Sequence, residues 1–370
     1  MKKISSYAPS VFLRKLFDLA VATANPLLSV PPILPSPPLG KTIVIGAGKA
    51  SALMAKAIEE NWQTSISGIV VTQEGCEVKN EQISIIKSSH PVPDERGYAA
   101  SRKIISLASE LNENDLCIAV ISGGASSLLS YPVDGVSLKD KQETYRLLLN
   151  SGASISEINT IRKHISNIKG GRLAEAVFPA ALETILISDV PGDDPAAIGS
   201  GPTVPDNTTF SDAKNIIQKY NLILPKSVSN YLNKSQKETP KKDGEIFKNA
   251  NVQFASVPMT GLKEAAKFAK SLGLNTYIIS DKVQGEARLV AKKHAMLALK
   301  TRKGQGPVTP PCVILSGGET TVTIKGNGRG GPNGEYALAL AIALEGADGI
   351  YAISCDTDGI DGSEDNAGAI

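Results

Sequence analysis

Several features that mark particular classes of protein are scarce in this sequence. Its 370 residues include only four cysteines, and no two of them form a CxxC pair. Disulfide frameworks and zinc sites need closely spaced cysteines, so these residues are expected to be reduced and mostly buried. Reduced cysteines favour a cytoplasmic location. The four positions are Cys76, Cys117, Cys312 and Cys355.

An excess of charge and long apolar runs are also absent. The chain has 39 basic and 37 acidic residues, and neither sign forms a block, so nucleic acid is not an expected partner. No apolar stretch approaches the ~20 residues that span a bilayer, so no membrane partner is expected either. Arg14, Lys15 and Asp18 interrupt the apolar N-terminal segment, which predicts an amphipathic helix rather than a signal peptide.

What is present is a repeated order of strand, glycine-containing loop and helix. Apolar strands that alternate with helices predict an α/β fold with mainly parallel sheets, and 370 residues predict two domains. The segment 301–311, rich in glycine and proline, suggests a boundary between domains at 1–300 and 301–370. Two SGG loops, at 122–127 and 316–321, each follow an apolar strand and suggest two similar, Rossmann-like three-layer halves.

The first glycine loop contains Gly46, Gly48 and Lys49. Glycines let a backbone approach a ligand, and a lysine beside a helix start suits phosphate or carboxylate. Ser51 stands where a dinucleotide fingerprint has its third glycine, so the loop matches neither that motif nor a P-loop. A tight turn with a solvated lysine is the alternative interpretation.

The loop after the LCIAVI strand offers two glycines and several hydroxyls. Its backbone amides are candidates for binding anionic oxygens, and a simple helix cap is the alternative. The candidate residues are Ser122, Gly123, Gly124, Ala125 and Ser126.

A cluster of carboxylates follows the next strand. Asp189, Asp193 and Asp194 lie within six positions, and hard oxygen ligands of this kind suit Mg²⁺, although Asp is also common in turns. The loop that follows, with Gly199, Ser200 and Gly201, could hold phosphate oxygens. A second cluster near the C-terminal end comprises Asp356, Asp358 and Asp361.

Basic residues surround His164 in EINTIRKHISNIKGGRLA. Arg162, Lys163, Lys169 and Arg172 are expected mostly as solvated helix-surface charges. The chain has three histidines, too few to favour a histidine-based metal site. His90, in HPVPDERG, is a candidate for ligand contact or for a purely conformational role.

The motifs GAGKAS, HPVPDERG, SGGASSLL, SDVPGDDPAAIGSGPT, GGETTVTIKGNGRGGPNGE and DTDGIDG occur in this order. With them the chain resembles the glycerate 2-kinase family, whose C-terminal part is called the MOFRL domain. The resemblance implies two α/β domains facing an interdomain cleft, with ATP as co-substrate, Mg²⁺ as cofactor and D-glycerate as acceptor. The implied product is 2-phosphoglycerate. A homodimer is possible, but the sequence does not decide the oligomeric state.

The resemblance assigns roles residue by residue. Lys49 matches the catalytic lysine and is expected to offset charge on the transferring phosphoryl group. Asp189 matches the acidic residue of the SDV motif and is expected to orient or deprotonate the acceptor hydroxyl, and Asp193 to help hold Mg²⁺. Arg329 is the third catalytic candidate. Further substrate- or phosphate-binding candidates in the C-terminal part are Gly317, Gly318, Glu319, Asn333 and Glu335.

Departures from the family pattern keep two rival functions open. Pro332 and Gly334 stand where similar proteins often have arginine and glutamine. Similar proteins also continue past DTDGIDG for a few tens of residues, so the C-terminal domain is expected to be truncated. The rivals are a non-catalytic nucleotide- or glycerate-binding paralogue and an NAD(P)H-dependent hydroxypyruvate reductase, a name given earlier to similar proteins.

Overall fold

The chain is divided into two compact units. The computed structural model describes residues 7–190, 192–235, 237–357, 359–362 and 365–370. One unit is Pro26–Ser256, and the other combines Val257–Ile370 with the N-terminal segment through Asn25. The boundary predicted at 300/301 falls inside the second of these units, so the contacts divide the chain differently from the glycine- and proline-rich signal.

Strands of the first unit form one sheet and those of the second form separate pairs. In chain order they are β1 (Thr42–Ala47), β2 (Ile66–Gln73), β3 (Ile83–Ser88), β4 (Leu116–Ile121), β5 (Ala181–Ile187), β6 (Ala250–Ser256), β7 (Asn275–Ile278), β8 (Val283–Glu286), β9 (Cys312–Leu315), β10 (Gly318–Thr321), β11 (Ser354–Cys355) and β12 (Gly368–Ala369).

Helices connect most of these strands. They are α1 (Pro9–Ala22), α2 (Pro26–Ser29), α3 (Ser51–Asn61), α4 (Glu95–Ser109), α5 (Ala125–Leu128), α6 (Leu138–Asn150), α7 (Ile155–His164), α8 (Arg172–Val177), α9 (Phe210–Lys219), α10 (Lys226–Lys234), α11 (Pro258–Ser271), α12 (Ala287–Arg302) and α13 (Pro332–Leu344).

The first unit is built on a six-stranded sheet in the order β3-β2-β1-β4-β5-β6, and all its pairings are parallel. Side chains alternate between faces along each strand. Ile43 and Ile45 of β1 therefore pack in one apolar layer and Val44 in the other. A sheet buried on both faces explains the continuous apolar runs in the sequence and confirms the predicted α/β class with a mainly parallel sheet.

The second unit contains shorter strands. Two pairs are parallel, β7 with β9 and β8 with β10, and β11 with β12 is antiparallel. Helix α1 belongs here because Phe12 and Leu16 are buried in a cluster with Ala265 and Ala269 of α11. The polar residues Arg14 and Lys15 lie outside that cluster, so the prediction of an amphipathic N-terminal helix is confirmed.

Among the described residues, no single helix is both long and apolar enough to cross a bilayer. One bent pair, Pro9–Ala22 with Pro26–Ile33, meets the length and composition requirement only when its two parts are counted together.

Candidate active site

The strand order of the first unit reverses direction between β1 and β4. In open parallel sheets, ligands bind at the carboxyl ends of the strands beside such a reversal. The register pairs Ala47 with Ile121, the last residues of β1 and β4, so the two glycine loops begin level with each other. Leu186 of β5 lies level with Ile121, which brings the segment that contains Asp189 to the same edge.

Gly48 and Ser122 meet because the first loop has no side chain at that point. A Cβ on Gly48 would lie 2.0 Å from the Ser122 hydroxyl oxygen, so only glycine fits. Ser122 Oγ in turn accepts a hydrogen bond from the Ala50 amide at 3.1 Å and lies 3.2 Å from Ser51 Oγ. Gly46 is equally restricted, because its Cβ would meet the Val120 carbonyl oxygen at 1.9 Å.

Lys49 is tied to the second loop through its backbone. Its amide donates to the Gly123 carbonyl at 2.8 Å. A Cβ built on Gly124 would lie 3.6 Å from Lys49 Cγ and 3.1 Å from His90 Cδ2. Lys49 and His90 therefore both border Gly124, which lies in the left-handed region with φ of 82°.

Asp189 also borders this loop, at Gly123. A Cβ on Gly123 would be 1.9 Å from Asp189 Oδ2, so the carboxylate rests against the glycine backbone. Burial raises the pKa of the Asp189 carboxyl, and a backbone hydrogen bond and the charge of Lys49 offset only part of that increase. A partly desolvated carboxylate can accept a proton more readily than a solvated one.

His90, for which the sequence left open ligand contact or a purely conformational role, also borders this site. Burial lowers the pKa of its imidazole, Lys49 lowers it further, and Asp189 offsets part of the shift. The neutral ring is therefore favoured. Its motif offered a signal, since His90 follows β3 and thus lies at the same sheet edge. Nothing in the linear order, however, indicated which loop it would face.

The predicted loop from Gly199 to Gly201 also reaches this edge. Ser200 Oγ lies 2.9 Å from Ser126 Oγ and donates to Asn159 Oδ1 at 3.1 Å. The amides of Ser200 and Gly201 donate to carbonyls within their own turn. This loop consequently offers a hydroxyl rather than those two amides.

Amides of the SGGAS loop are used in part as well. Ser122 N donates to Ala47 O, and Ala125 N donates to Ser122 O. These two amides hold the loop itself together. The amides of Gly123, Gly124 and Ser126 therefore remain as the candidates for binding an anion.

Asp193 and Asp194 differ in environment. Asp194 Oδ1 accepts from the Ala196 amide at 2.9 Å, as a turn residue does. Asp193 adopts φ of 53°, and its Oδ1 is buried without a hydrogen-bond partner among the described residues. No group of three or more His, Cys, Asp or Glu side chains that could enclose a metal occurs in the described ranges. Mg²⁺ needs only one or two carboxylates when phosphates supply further oxygens, so Asp189 and Asp193 fit it.

The second SGG loop differs from the first. Ser122–Gly124 leads into helix α5, whereas Gly318 and Glu319 begin strand β10, which pairs with β8. The expectation of two similar loops is therefore wrong at this level. Thr320 and Thr321 are β-branched and favour a strand, whereas Ser126 and Ser127 occupy the corresponding positions of the first loop. Glu319 is exposed, and Gly317 is half-buried before the strand begins.

The remaining candidates lie around the start of α13. Arg329 is exposed ahead of the helix, and Asn333 and Glu335 lie in its first turn. The carboxylate of Asp361 accepts from the amides of Asn333 at 2.8 Å and Gly334 at 2.7 Å. Asp361 thus serves as a cap for the start of α13. Asp358, its predicted neighbour in the second carboxylate cluster, lies outside the described residues.

The structure therefore separates the candidates into two groups. Those of the first unit lie at the carboxyl ends of β1, β4 and β5 or in the segments that follow them: Gly46, Gly48, Lys49, Ser122, Gly123, Gly124, Ala125, Ser126, Asp189, Asp193, Gly199, Ser200 and Gly201. The others belong to the second unit: Gly317, Gly318, Glu319, Arg329, Asn333 and Glu335.

Comparison with known proteins matches both ends of the chain to families. Residues 12–233 match the Domain of unknown function (DUF4147), and residues 312–370 match the MOFRL family. A protein of Agrobacterium vitis named putative hydroxypyruvate reductase is 49% identical over 97% of this chain and 82% of its own length. The D-glycerate 2-kinase of Thermotoga maritima is 42% identical over 95% of this chain and 83% of its own.

A solved structure shows the same fold. The crystal structure of glycerate kinase from Thermotoga maritima superposes with a TM-score of 0.89 at 39% identity, covering 96% of this chain and 85% of that one.

Proposed function

This chain belongs to the glycerate kinase family that combines the DUF4147 and MOFRL segments, and we propose that it transfers the γ-phosphoryl group of ATP to the 2-hydroxyl of D-glycerate. The products are 2-phospho-D-glycerate and ADP. The observation that carries this proposal is the convergence of Lys49, His90 and Asp189 on Gly123–Gly124 at the reversal of strand order.

Phosphoryl transfer depends chiefly on positioning and on neutralising charge. Lys49 lies on a loop whose glycines allow close backbone approach, so it stabilises negative charge on the transferring group. Asp189 accepts the proton of the attacking hydroxyl. Its raised pKa suits that role, because a base is most effective when its pKa lies near the working pH.

His90 acts as a neutral positioning group. Its lowered pKa keeps the ring uncharged beside Lys49, so it contributes a hydrogen bond without adding repulsion to an already cationic loop. The hydroxyls of Ser126 and Ser200 are joined to each other and offer polar contacts deeper in the same edge.

Mg²⁺, when bound with ATP, would supply positive charge that offsets the negative charge of the phosphates. Asp193 would hold it, because its buried Oδ1 has no other partner among the described residues, and Asp189 is a second candidate ligand. Arg329, Glu319, Asn333 and Glu335 stay predictions as substrate-contacting residues of the second unit.

Reductase activity is the second candidate because of the name of the Agrobacterium vitis relative. A nicotinamide site would need close helix packing at the third glycine and an acidic residue for the ribose. Ser51 occupies the glycine position and bonds to Ser122, and Glu74 at the end of β2 is already paired with Arg96 at 2.5 Å. These contacts favour the kinase.

A direct assay tests the proposal. Purified protein is given ATP, Mg²⁺ and D-glycerate, and product is passed to enolase without a mutase, so that only 2-phosphoglycerate gives a signal. Lys49→Met is expected to lower kcat by roughly 10²-fold or more, since it removes a charge at the reacting phosphoryl group. Lys56→Met is the matched control and should retain turnover, because Lys56 is half-buried on α3 and pairs with Glu60.

Two results would refute the kinase assignment. One is absence of enolase-accepted product from folded protein at saturating substrates. The other is oxidation of NADH or NADPH with hydroxypyruvate, which would establish the reductase instead.

A further inference from the structure

Three cationic side chains lie together in the interior of the first unit. Lys141 of α6 and Lys169, which follows α7, are fully buried, and Arg162 of α7 is half-buried. The charged groups that act on Lys169 are Lys141 and Arg162, and the charged group that acts on Lys141 is Arg162. Among the described residues, no carboxylate contributes to the pKa shift of either lysine. We refer to Lys141, Tyr145, Arg162 and Lys169 as the buried basic cluster.

Three donor atoms of this cluster have no acceptor within the described part of the chain. Lys141 Nζ, Arg162 Nε and Tyr145 Oη are all buried and without a hydrogen-bond partner. Lys141 and Tyr145 share one face of α6, four residues apart, and the Arg162 guanidinium carbon lies 4.7 Å from the centre of the Tyr145 ring. Three different donors thus meet in one small region.

A neighbouring lysine shows what a satisfied buried charge looks like here. Lys163, one residue after Arg162, is also buried, but its Nζ lies 3.3 Å from the Asp206 carboxylate. Buried charges in proteins are normally paired in this way, because an unpaired one loses its hydration without compensation. The charges of the buried basic cluster would be paired in the same way only if an anion were bound.

The cluster adjoins the candidate active site. Arg162 Nη1 donates to Asn159 Oδ1 at 3.4 Å, and the same oxygen accepts from Ser200 Oγ. Lys169 Nζ donates to the carbonyls of Leu129 at 2.8 Å and Gly199 at 3.5 Å. The cluster is therefore connected to Ser200 of the Ser126–Ser200 pair through Asn159, and to the neighbouring Gly199 through Lys169.

We propose that Lys141, Tyr145 and Arg162 form an oxyanion subsite that binds the carboxylate of the acceptor hydroxy acid. This inference rests on the proposed function. The glycine loop of Lys49 is the part of the edge suited to the phosphates, so the cluster beyond Ser200 is available for the acceptor. Carboxylate oxygens offer enough lone pairs to accept from an ammonium, a guanidinium and a phenol together.

Ionisation of the lysines is consistent with this arrangement. Burial, together with repulsion from Arg162, lowers the pKa of Lys141 to about 7. Without an anion, Lys141 is therefore partly neutral at physiological pH, and a bound carboxylate would favour its charged form.

Binding to ATP-free protein provides the test. Isothermal titration calorimetry compares D-glycerate, its neutral amide glyceramide and inorganic phosphate, on wild type, Lys141→Met and Lys139→Met. Lys139 lies on the same helix but is exposed. We expect wild type to bind glycerate at least tenfold more tightly than glyceramide. Lys141→Met should weaken glycerate by about tenfold, the loss of one charge-assisted hydrogen bond, and leave glyceramide unchanged.

Equal glycerate affinity in wild type and Lys141→Met would overturn the proposal. So would loss of phosphate binding alone, because the ligand would then be free phosphate. Tyr145→Phe removes only an unpartnered hydroxyl and is used if Lys141→Met does not fold; it should weaken glycerate severalfold, and unchanged affinity there would equally refute the subsite.

Failure of the subsite and failure of the kinase assignment can be told apart. Turnover in the enolase assay with an unchanged KM for glycerate in Lys141→Met would refute the subsite and leave the kinase intact. Carboxylate-dependent glycerate binding without any turnover would refute the kinase assignment and leave the subsite intact.

Discussion

Asp189 shows how one residue carries both function and a cost to stability. Its carboxylate rests on Gly123, where burial raises its pKa. A carboxyl whose folded-state pKa is raised contributes stability that is fully present below its unfolded pKa, near 3.9, and is lost as the pH rises through the folded pKa. Above the folded pKa the ionised group disfavours the folded state, so at pH 7 this residue is retained at the expense of stability.

Asp189→Asn is expected to lower kcat by about 10²–10⁴-fold, the range for removal of a general base. Its Tm at pH 7 should equal or exceed that of wild type, because the buried charge is gone. Kinetics and thermal unfolding measure the two effects. Asp243→Asn, an exposed residue, should change neither. A large fall in Tm together with retained activity would contradict the role given to Asp189.

Gly123→Ala tests the close approach itself. The added Cβ would lie 1.9 Å from Asp189 Oδ2, so the carboxylate must move. Because that oxygen is at the end of a side chain, we expect a modest loss of stability, roughly 1–3 kcal/mol, and a much larger loss of kcat. Urea unfolding and steady-state kinetics provide both values.

Gly326→Ala serves as the control for that substitution, since nothing lies within 4 Å of its added Cβ. Gly123→Ala with wild-type kcat would show that the position of Asp189 against the second loop is unimportant.

At the scale of elements, the start of α4 is held by one carboxylate. Asp94 accepts from the Gly97 amide at 3.0 Å and from Ser88 Oγ at 2.7 Å, and it also bonds to Ser89. These hydrogen bonds outweigh desolvation and hold the pKa of Asp94 far below its ordinary value. They also join the helix to the segment that carries His90.

Asp94→Ala should lower the free energy of unfolding at pH 7 by about 1 kcal/mol, as loss of a helix cap does. Since the folded pKa is lowered, the stabilisation is present above the unfolded pKa, near 3.9, and is lost as the pH falls below it. Urea unfolding of wild type and variant across pH 2–7 measures this. Glu95→Ala, exposed and adjacent, is the control; a pH-independent difference would argue against the carboxylate as its cause.

Elements with similar sequences can still differ. The two SGG loops follow comparable apolar strands, yet one leads into a helix and the other into β10. Similarly, the basic residues of α7 and its C-terminal extension were expected on a solvated face. The structure buries Lys163 and Lys169, so that expectation is wrong for both. The residue types indicated the charges of these side chains. Their burial depends on packing against other parts of the fold, which the local sequence does not specify.

At the scale of the molecule, the six-stranded sheet separates two apolar layers. Ile118, in the central strand β4, is fully buried in one of them. Ile118→Ala should lower the free energy of unfolding by about 2–5 kcal/mol, because the cavity is enclosed on all sides. Ile223→Ala, at 90% exposure, should change it by less than about 0.5 kcal/mol. Denaturant unfolding compares them; equal effects would contradict this core.

Much of the site followed from short-range patterns. Gly46–Lys49, Ser122–Ser126 and Asp189 each follow an apolar strand, and parallel strands bring their carboxyl ends to one edge. The α/β class and the nearness of these loops were therefore predictable. The position of His90 opposite Gly124 was not predictable, because it depends on a loop whose path no local pattern specifies.

The sequence by itself determined the alternation of strands and helices, the glycine positions and the presence of Lys49 and Asp189, since periodicity and residue type are local properties. Only the tertiary structure decided that Lys141, Arg162 and Lys169 share one buried region without a carboxylate. It also decided that Asp361 caps α13. Both depend on contacts between residues far apart in the chain, and such contacts form only when the elements pack together.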